Sequence, residues 1–209
     1  MFCSIITAKA QYTQTPAMSL YDTNLMRMAI ENQRIAHERI MRIMDEVEPY
    51  REAFYQKYRE GKYKEAINIC LDVRKAYVKY VIDNQAIRDM ESVAGDCAVK
   101  IRDYELAIFL YKKAKEAKEE GIDSKLNNLF YIILEEARNS YKSGNYSSLW
   151  DNVSIALQTG WENGECYYYY GKCYEQSYDI RNAKKMYKLA KKKDYPPAAE
   201  ALNNLKNQK

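Results

Sequence analysis

Apolar residues recur every three to four positions along most of the chain, which is the spacing of helices that bury one face. The first such run is rich in methionine, has Asp22 or Thr23 as its N-cap, and extends to Val47. Pro49 predicts the end of this helix, because proline lacks the N–H group that a helix interior needs. Glycine and proline are scarce, at 7 and 4 residues, so few turns of the kind that connect strands are expected. The pattern therefore predicts an all-α protein.

A short phrase that reads as a helix end, a tight turn and a new helix then repeats along the chain. Its four copies begin at Gly61, Arg102, Gly144 and Tyr178. Each copy contains one anchor residue, and the anchors are Ala66, Ala107, Leu149 and Ala183, separated by 41, 42 and 34 residues. Recurrence at this scale is typical of a helical solenoid, in which each hairpin buries its apolar face against its neighbours.

Two further positions keep a constant distance from each anchor. Twelve residues before the anchors lie Phe54, Gly95, Ala137 and Gly171. Seven residues after the anchors lie Val73, Ala114, Ala156 and Ala190. Small residues at such positions let the two helices of a hairpin cross closely. Phe54, twelve residues before the first anchor, and the third anchor, Leu149, are large residues where the other copies have small ones. The first and third copies therefore match the repeat pattern less well.

The phrase resembles the tetratricopeptide repeat (TPR), whose pattern is W-x2-L-G-x2-Y, then A-x3-F, then P. The fourth copy matches best, and its matching residues are Tyr167, Tyr170, Gly171, Tyr174, Ala183, Tyr187 and Pro196. The second copy contributes Ala94, Gly95, Ala107, Tyr111 and Ala114, and the resemblance covers about residues 47–196. It implies an all-α, right-handed superhelical solenoid of TPR-like helix–turn–helix repeats with capping helices at both ends.

The predicted organisation follows from these patterns. Residues 1–20 form a leader remnant or flexible N-terminus, 21–48 a long capping helix, and 196–209 a C-terminal capping helix; the repeats span 49–83, 84–122, 123–160 and 163–195. In the C-terminal cap, the narrow apolar stripe is Ala198, Ala201, Leu202 and Leu205. The methionine-rich first helix suits either a cap on the stack or pairing with a second copy of the chain, as a homodimer.

The N-terminal residues suggest an export signal. A short apolar run, Phe2 to Ile6, precedes Ala8-Lys9-Ala10, which has the small-x-small pattern of a signal-peptidase site. The run is short and no basic region precedes it, so it resembles the end of a bacterial export signal whose start codon was assigned too late. This predicts cleavage after Ala10 and an exported or periplasmic protein; the alternative is a frayed N-terminus of a cytoplasmic protein.

Candidate chemistry for catalysis or metal binding is sparse. No G-x-S-x-G, P-loop or G-x-G-x-x-G motif is present, so we expect no enzyme and no cofactor. The single histidine, His37, has charged neighbours and reads as a surface residue, and without a C-x-x-C pair a zinc site is not expected. Cys70, Cys97, Cys166 and Cys173 lie in apolar helical patterns, which favours buried thiols, although an oxidising compartment could pair them. No stretch is long and apolar enough for a membrane-spanning helix.

In the TPR family the first helix of each hairpin lines a concave groove that binds partners. Carried onto this sequence, the resemblance implies as groove residues Arg51, Tyr55, Tyr58, Asp89, Ser92, Asp96, Tyr131, Arg138, Tyr141, Tyr168, Lys172 and Glu175. Tyrosine and arginine dominate this set and are the residues that dominate binding hot spots. The groove lacks the asparagine set with which family members clamp a terminal carboxylate, so capture of such a tail is not expected.

We therefore expect a non-catalytic scaffold that binds another protein, as a peptide or a helix. Two alternatives stay open. An exported protein could bind glycans, with Tyr168 as the free stacking surface. The last 29 residues carry nine basic and two acidic side chains, a net charge of +7, so the helix with Lys184, Lys185, Lys188, Lys191, Lys192 and Lys193 could bind nucleic acid. Export would argue against nucleic acid, and a solvated lysine-rich helix is the simpler interpretation.

Overall fold

The computed structural model describes residues 20–77 and 85–207, and within these ranges it contains helices and no strand. The helices are α1 (Leu20–Arg59), α2 (Tyr63–Tyr77), α3 (Gln85–Lys100), α4 (Tyr104–Glu116), α5 (Ile122–Lys142), α6 (Tyr146–Gln158), α7 (Gly164–Gln176), α8 (Ile180–Lys192) and α9 (Pro197–Asn207). Residues 1–19 of the predicted leader, including the proposed cleavage site, lie outside the described residues.

Contacts divide the chain into two units, residues 1–42 and 43–209. In the second unit, hairpins form between α3 and α4, between α5 and α6, and between α7 and α8. Each hairpin also packs on the next, because α2 contacts α3, α4 contacts α5, α6 contacts α7, and α8 contacts α9. Helices that pack in chain order in this way confirm the predicted all-α solenoid.

The repeat positions form the core of the hairpins, as the sequence predicts. All four anchors and all eight residues at the constant offsets before and after them are buried. At Gly95 and Gly171 the two helices approach so closely that an added Cβ would lie 2.4 Å from the ring of Tyr111 and 2.3 Å from the ring of Tyr187. A side chain larger than hydrogen would separate the helices there, which explains the small-residue rule.

The departures from that rule follow a balance of side-chain volumes. The tyrosines that cover Gly95 and Gly171 lie four residues after the anchors. At the same offset the first copy has Cys70 and the third has Val153, while the position before their anchors is held by the large Phe54 and by Ala137; all four are buried. At these two positions three copies therefore combine a large residue with a small one, and the third copy combines alanine with valine, which is consistent with a filled interior.

Each turn of the repeated phrase has the same backbone geometry. The first residue of every copy has a positive φ: 72° at Gly61, 62° at Arg102, 71° at Gly144 and 59° at Tyr178. In the last three copies the residue that directly follows is an N-cap: Asp103, Asn145 and Asp179. The side chain of each N-cap accepts a hydrogen bond from the backbone N–H three residues later. A left-handed residue ends one helix and a polar cap begins the next, so the turn is encoded locally.

The predicted end of the first helix at Pro49 is wrong, because α1 continues through this residue to Arg59. An interior proline removes one backbone hydrogen bond and costs a helix about 3 kcal/mol. Val47 and Phe54 lie on either side of Pro49, and both are fully buried. Since Pro49 itself is exposed, its ring meets no packed neighbour, and burial of the flanking side chains offsets the loss.

The C-terminal helix α9 closes the second unit. It begins at Pro197, and its residues Ala198, Ala201 and Leu205 are buried, in agreement with the predicted stripe. Leu202, the fourth member of that stripe, is half-buried. Because proline has no N–H group to satisfy, it is well tolerated in the first turn of a helix.

The four predicted buried cysteines, Cys70, Cys97, Cys166 and Cys173, are free and buried. Burial raises the pKa of the thiols of Cys70, Cys166 and Cys173 to about 12 and that of Cys97 to about 11. The thiolate is the reactive form, so these cysteines are protected both from reagents and from ionisation.

We expect these four thiols to react with a disulfide reagent such as DTNB only after unfolding. In a Cys3→Ser chain at mildly alkaline pH, the native protein should release almost no chromophore, and the protein in denaturant should release four equivalents. Raised pKa values also mean that stability is lost as the pH rises above the ordinary thiol value, since the unfolded chain ionises first. Rapid reaction of any one thiol in the native protein would show that its helix packing is wrong.

Candidate interaction surface

A groove crosses three consecutive first helices of the hairpins, α1, α3 and α5. It is a cavity of about 360 Å³, lined by Tyr58, Asp96, Val99, Lys100, Tyr111, Lys125, Asn128, Leu129 and Ile132. Lys125, Asn128 and Ile132 follow one another at helical spacing on the same face of α5. The groove thus combines apolar, aromatic and charged side chains in one place, as binding sites do.

The floor of the groove is a closed polar network around Asp96. The ammonium group of Lys125 donates hydrogen bonds to Asp96 Oδ2 at 2.7 Å and to Ser92 Oγ at 2.9 Å. The hydroxyl of Tyr111 donates to Asp96 Oδ1 at 2.6 Å, and burial together with this bond raises the pKa of Tyr111. Both carboxylate oxygens are therefore occupied, and the network fixes α3, α4 and α5 to one another.

The rim of the groove is more accessible. Ile132 exposes 42% of its surface, and Tyr58 is half-buried with its ring 6.0 Å from that of Tyr63. Lys100 is exposed, and its ammonium group lies 5.6 Å from the centre of the Tyr63 ring. This rim offers a partner an apolar surface next to a positive charge.

A second hollow lies along α1, next to the start of α3. Its volume is about 620 Å³, and its lining residues are Glu48, Arg51, Glu52, Tyr55, Gln56 and Arg59. The guanidinium of Arg51 lies 5.7 Å from the centre of the Tyr55 ring and donates to Glu48 at 2.7 Å. Burial raises the pKa of Tyr55, and the carboxylate of Asp89 adds to this effect. Arg51, Tyr55 and Asp89 of the predicted set therefore lie near one another.

The predicted residues on α5 have different environments. Tyr131 exposes 53% of its surface. Arg138 is held by two parallel hydrogen bonds to Glu165 on α7, at 2.7 and 2.6 Å, which raise the pKa of the guanidinium. Tyr141 packs among aromatic residues, with its ring 5.1 Å from that of Tyr169. Tyr131 is thus available to a partner, whereas Arg138 and Tyr141 join neighbouring hairpins.

The predicted residues on α7 are in contact with other side chains of the protein. Tyr168 is half-buried and contacts four other tyrosine rings, those of Tyr141, Tyr169, Tyr187 and Tyr195. Burial raises the pKa of its phenol. Lys172 donates to Glu175 at 3.1 Å and lies 5.6 Å from the Tyr168 ring, while Glu175 accepts a hydrogen bond from Tyr187. The ring on which glycan binding would rely is already covered by its neighbours.

Four residues that line the groove were not predicted from the sequence: Lys100, Lys125, Asn128 and Ile132. A signal for three of them was available, because the α5 residues repeat at the spacing of one helix face. The family pattern placed the groove face of α5 at Tyr131 instead, one position away from Ile132. One residue shifts a helical side chain by about 100° around the axis, which is enough to change the surface that it joins.

The basic helix α8 presents an exposed row of cations at Arg181, Lys185, Lys188 and Lys192. Lys193, at its end, pairs with Glu162 instead. Among the described residues there is no cluster of three or more His, Cys, Asp or Glu side chains that could hold a metal ion. None of the described helices combines the length and hydropathy needed to cross a bilayer.

These features define a class of protein: an all-α protein built of TPR-like helical hairpins stacked in chain order, two of which place a glycine of one helix under a tyrosine ring of the next. The class rests on the hairpin geometry of the chain itself, namely the buried repeat positions and the contacts of Gly95 and Gly171.

Comparison with known proteins adds only distant likenesses. No family model matches the chain, and no curated protein matches it. Among solved structures, a tetratricopeptide repeat protein from Parabacteroides merdae is 12% identical, with a TM-score of 0.35 over 84% of this chain and 79% of that one. MamA from Desulfovibrio magneticus, from residue 41 to its end, is 14% identical, with a TM-score of 0.30 over 78% of this chain and 94% of that one.

Proposed function

We propose that this chain is a non-catalytic protein-interaction scaffold that binds an extended peptide or a helix of another protein in the groove. The observation that carries the proposal is the groove itself, an open cavity across three consecutive hairpins with an apolar rim and a closed polar floor. Solenoids typically use such surfaces, because every repeat adds a first helix to the same side.

The chemistry of the rim suggests how a partner would bind. Tyr58 on α1 and Ile132 on α5 would receive an apolar side chain, since both line the cavity and neither is fully buried. Lys100 has no ion-pair partner among the described residues, so an acidic side chain of the partner would meet an uncompensated charge. The Asp96 network would serve as a rigid base rather than as a direct ligand, since its oxygens are already bonded.

The test is a peptide selection followed by affinity measurement. Peptides selected from a random library on the immobilised full chain would be measured by fluorescence anisotropy against the wild type and two variants, Tyr58→Ala and Ile132→Asp. Hot-spot truncations cost about 2 kcal/mol or more, so we expect each variant to weaken binding by at least about tenfold.

Phe109→Ala provides the matched control. Phe109 exposes 43% of its surface on α4 and is not part of the groove lining, so its loss should leave the affinity unchanged. Peptides that bind both groove variants as tightly as the wild type would overturn the assignment of the groove, and a library that yields no binder at all would count against the scaffold itself.

A further inference from the structure

The first half of α1 exposes an unusual number of apolar side chains. Every residue from Thr23 to Arg39 is exposed. The large apolar ones among them are Leu25, Met26, Met28, Ile30 and Ile35, with exposed fractions between 46% and 63%. An isolated helix is marginally stable in water, and a soluble protein rarely leaves a row of such side chains uncovered. A partner for this helix is therefore expected.

Six positions of α1 form a stripe along one face of the helix. They alternate at spacings of four and three residues, which is the seam of a two-stranded coiled coil, and they are Met26, Ile30, Gln33, His37, Ile40 and Met44. The exposed residues Met28 and Ile35 do not form a second seam, because the next position in their row is Arg42. A second row at the same spacing contains Ile43, Val47 and Phe54, which are buried in the core, so the stripe is the regular seam of the exposed part of α1.

The positions of the stripe are arranged symmetrically about residue 35, with residues of the same kind at equal distances on both sides. If a second α1 runs antiparallel with its centre there, Met26 faces Met44, Ile30 faces Ile40, and each polar residue of one copy faces the other polar type. A two-fold interface requires this reciprocity, since residue i contacts j whenever j contacts i. Gln33 and His37 can share a hydrogen bond across the pair, so that the polar centre of the seam is satisfied.

The flanks of the stripe agree with this arrangement. On one side lie Ala29 and Ala36, whose small side chains allow close approach of a second helix. On the other side lies Arg34, which is paired with Glu31 at 2.6 Å and with Glu38 at 2.5 Å on its own helix. The two copies of Arg34 that would meet near the axis therefore each bring two carboxylates, and their charges are compensated.

We propose that residues 23–44 of α1 form an antiparallel two-stranded coiled coil with a second copy of this chain. The seam from Met26 to Met44 is about 27 Å long at 1.5 Å per residue, which is short for a coiled coil, so the dimer is expected to dissociate on dilution. This interaction is separate from the groove, and each can fail without the other.

Analytical ultracentrifugation of the full chain over a range of concentrations tests the proposal. We expect a monomer–dimer equilibrium for the wild type and at least a tenfold weaker dimer for Ile30→Glu. The matched control is Ile35→Glu, the same substitution on the opposite side of the same helix, which should leave the dimer intact. A wild type that stays monomeric at every concentration, or equal loss in both variants, would overturn the proposal.

Cross-linking tests the direction of the pair. In a Cys3→Ser background, Met26→Cys and Met44→Cys chains should form a disulfide-linked dimer only when they are mixed, because in the antiparallel pair each cysteine faces the other position. Two copies of residue 26 would be about 27 Å apart, too far for a disulfide. A parallel pair would instead cross-link each variant with itself, and that result would contradict the proposed arrangement.

Discussion

Replacing Arg74 with methionine is expected to destabilise the protein by about 3 kcal/mol. Arg74, on α2, pairs with Glu91 on α3, whose side chain is fully buried. The second carboxylate oxygen of Glu91 has no hydrogen-bond partner within the described part of the chain, so the guanidinium is the group that compensates this charge. Removing it leaves a buried carboxylate that must lose its charge or draw water into the interface between the first two hairpins. Urea denaturation followed by far-ultraviolet circular dichroism measures the loss.

The double variant Arg74→Met, Glu91→Leu separates the buried charge from the loss of packing. Replacing both members of a buried ion pair with apolar residues of similar volume is often nearly neutral, so the double variant should recover most of the stability. Protonation also removes the stranded charge, so the deficit of the single variant should shrink at acidic pH. A single variant within about 0.5 kcal/mol of the wild type would mean that the pair is accessible to water.

Replacing Gly171 with alanine should cost about 2 kcal/mol of stability, although alanine is the better helix former. The new Cβ would lie 2.3 Å from Tyr187 Cε1 and 2.5 Å from Cδ1, well inside contact distance. Tyr187 cannot move aside easily, because it is fully buried and its hydroxyl donates to Glu175. We expect α7 and α8 to separate slightly, with a lower midpoint of thermal unfolding.

A second substitution should rescue this variant. The third hairpin uses Ala137 and Val153 at the equivalent positions, and both are fully buried. The double variant Gly171→Ala, Tyr187→Val imitates that pair, so its loss of stability should be smaller than the sum of the two single losses. Strict additivity would show that the two positions do not contact each other, contrary to the volume balance seen across the repeats.

The local pattern predicted the hairpins well because each one is built from nearby residues. The anchors and their offsets identified twelve core positions, and all are buried. The turn residues were equally clear, since a left-handed residue followed by an N-cap needs no distant contact. Helical periodicity also predicted which face of a helix is buried in the core, as in α9, where Ala198, Ala201 and Leu205 are buried.

The candidate site was predicted less completely. Periodicity gives the face of a helix but not which side chain of the next hairpin will meet it. Arg138 and Asp96 were both assigned to the groove by the resemblance to the TPR family, yet one pairs with Glu165 and the other with Lys125 and Tyr111. These partners lie 27, 29 and 15 residues away, so the pairing depends on how the helices dock.

The sequence by itself determined the architecture of this protein: helical hairpins, their turns and their core positions. The tertiary structure decided that α1 runs through Pro49, that Glu91 is buried with Arg74, and that the groove lies over Asp96 and Lys125. The reason is physical, because hydrogen bonds and apolar spacing within a helix are local. The free energy that overrides a proline, or satisfies a buried charge, comes from surfaces that meet only after the hairpins have stacked.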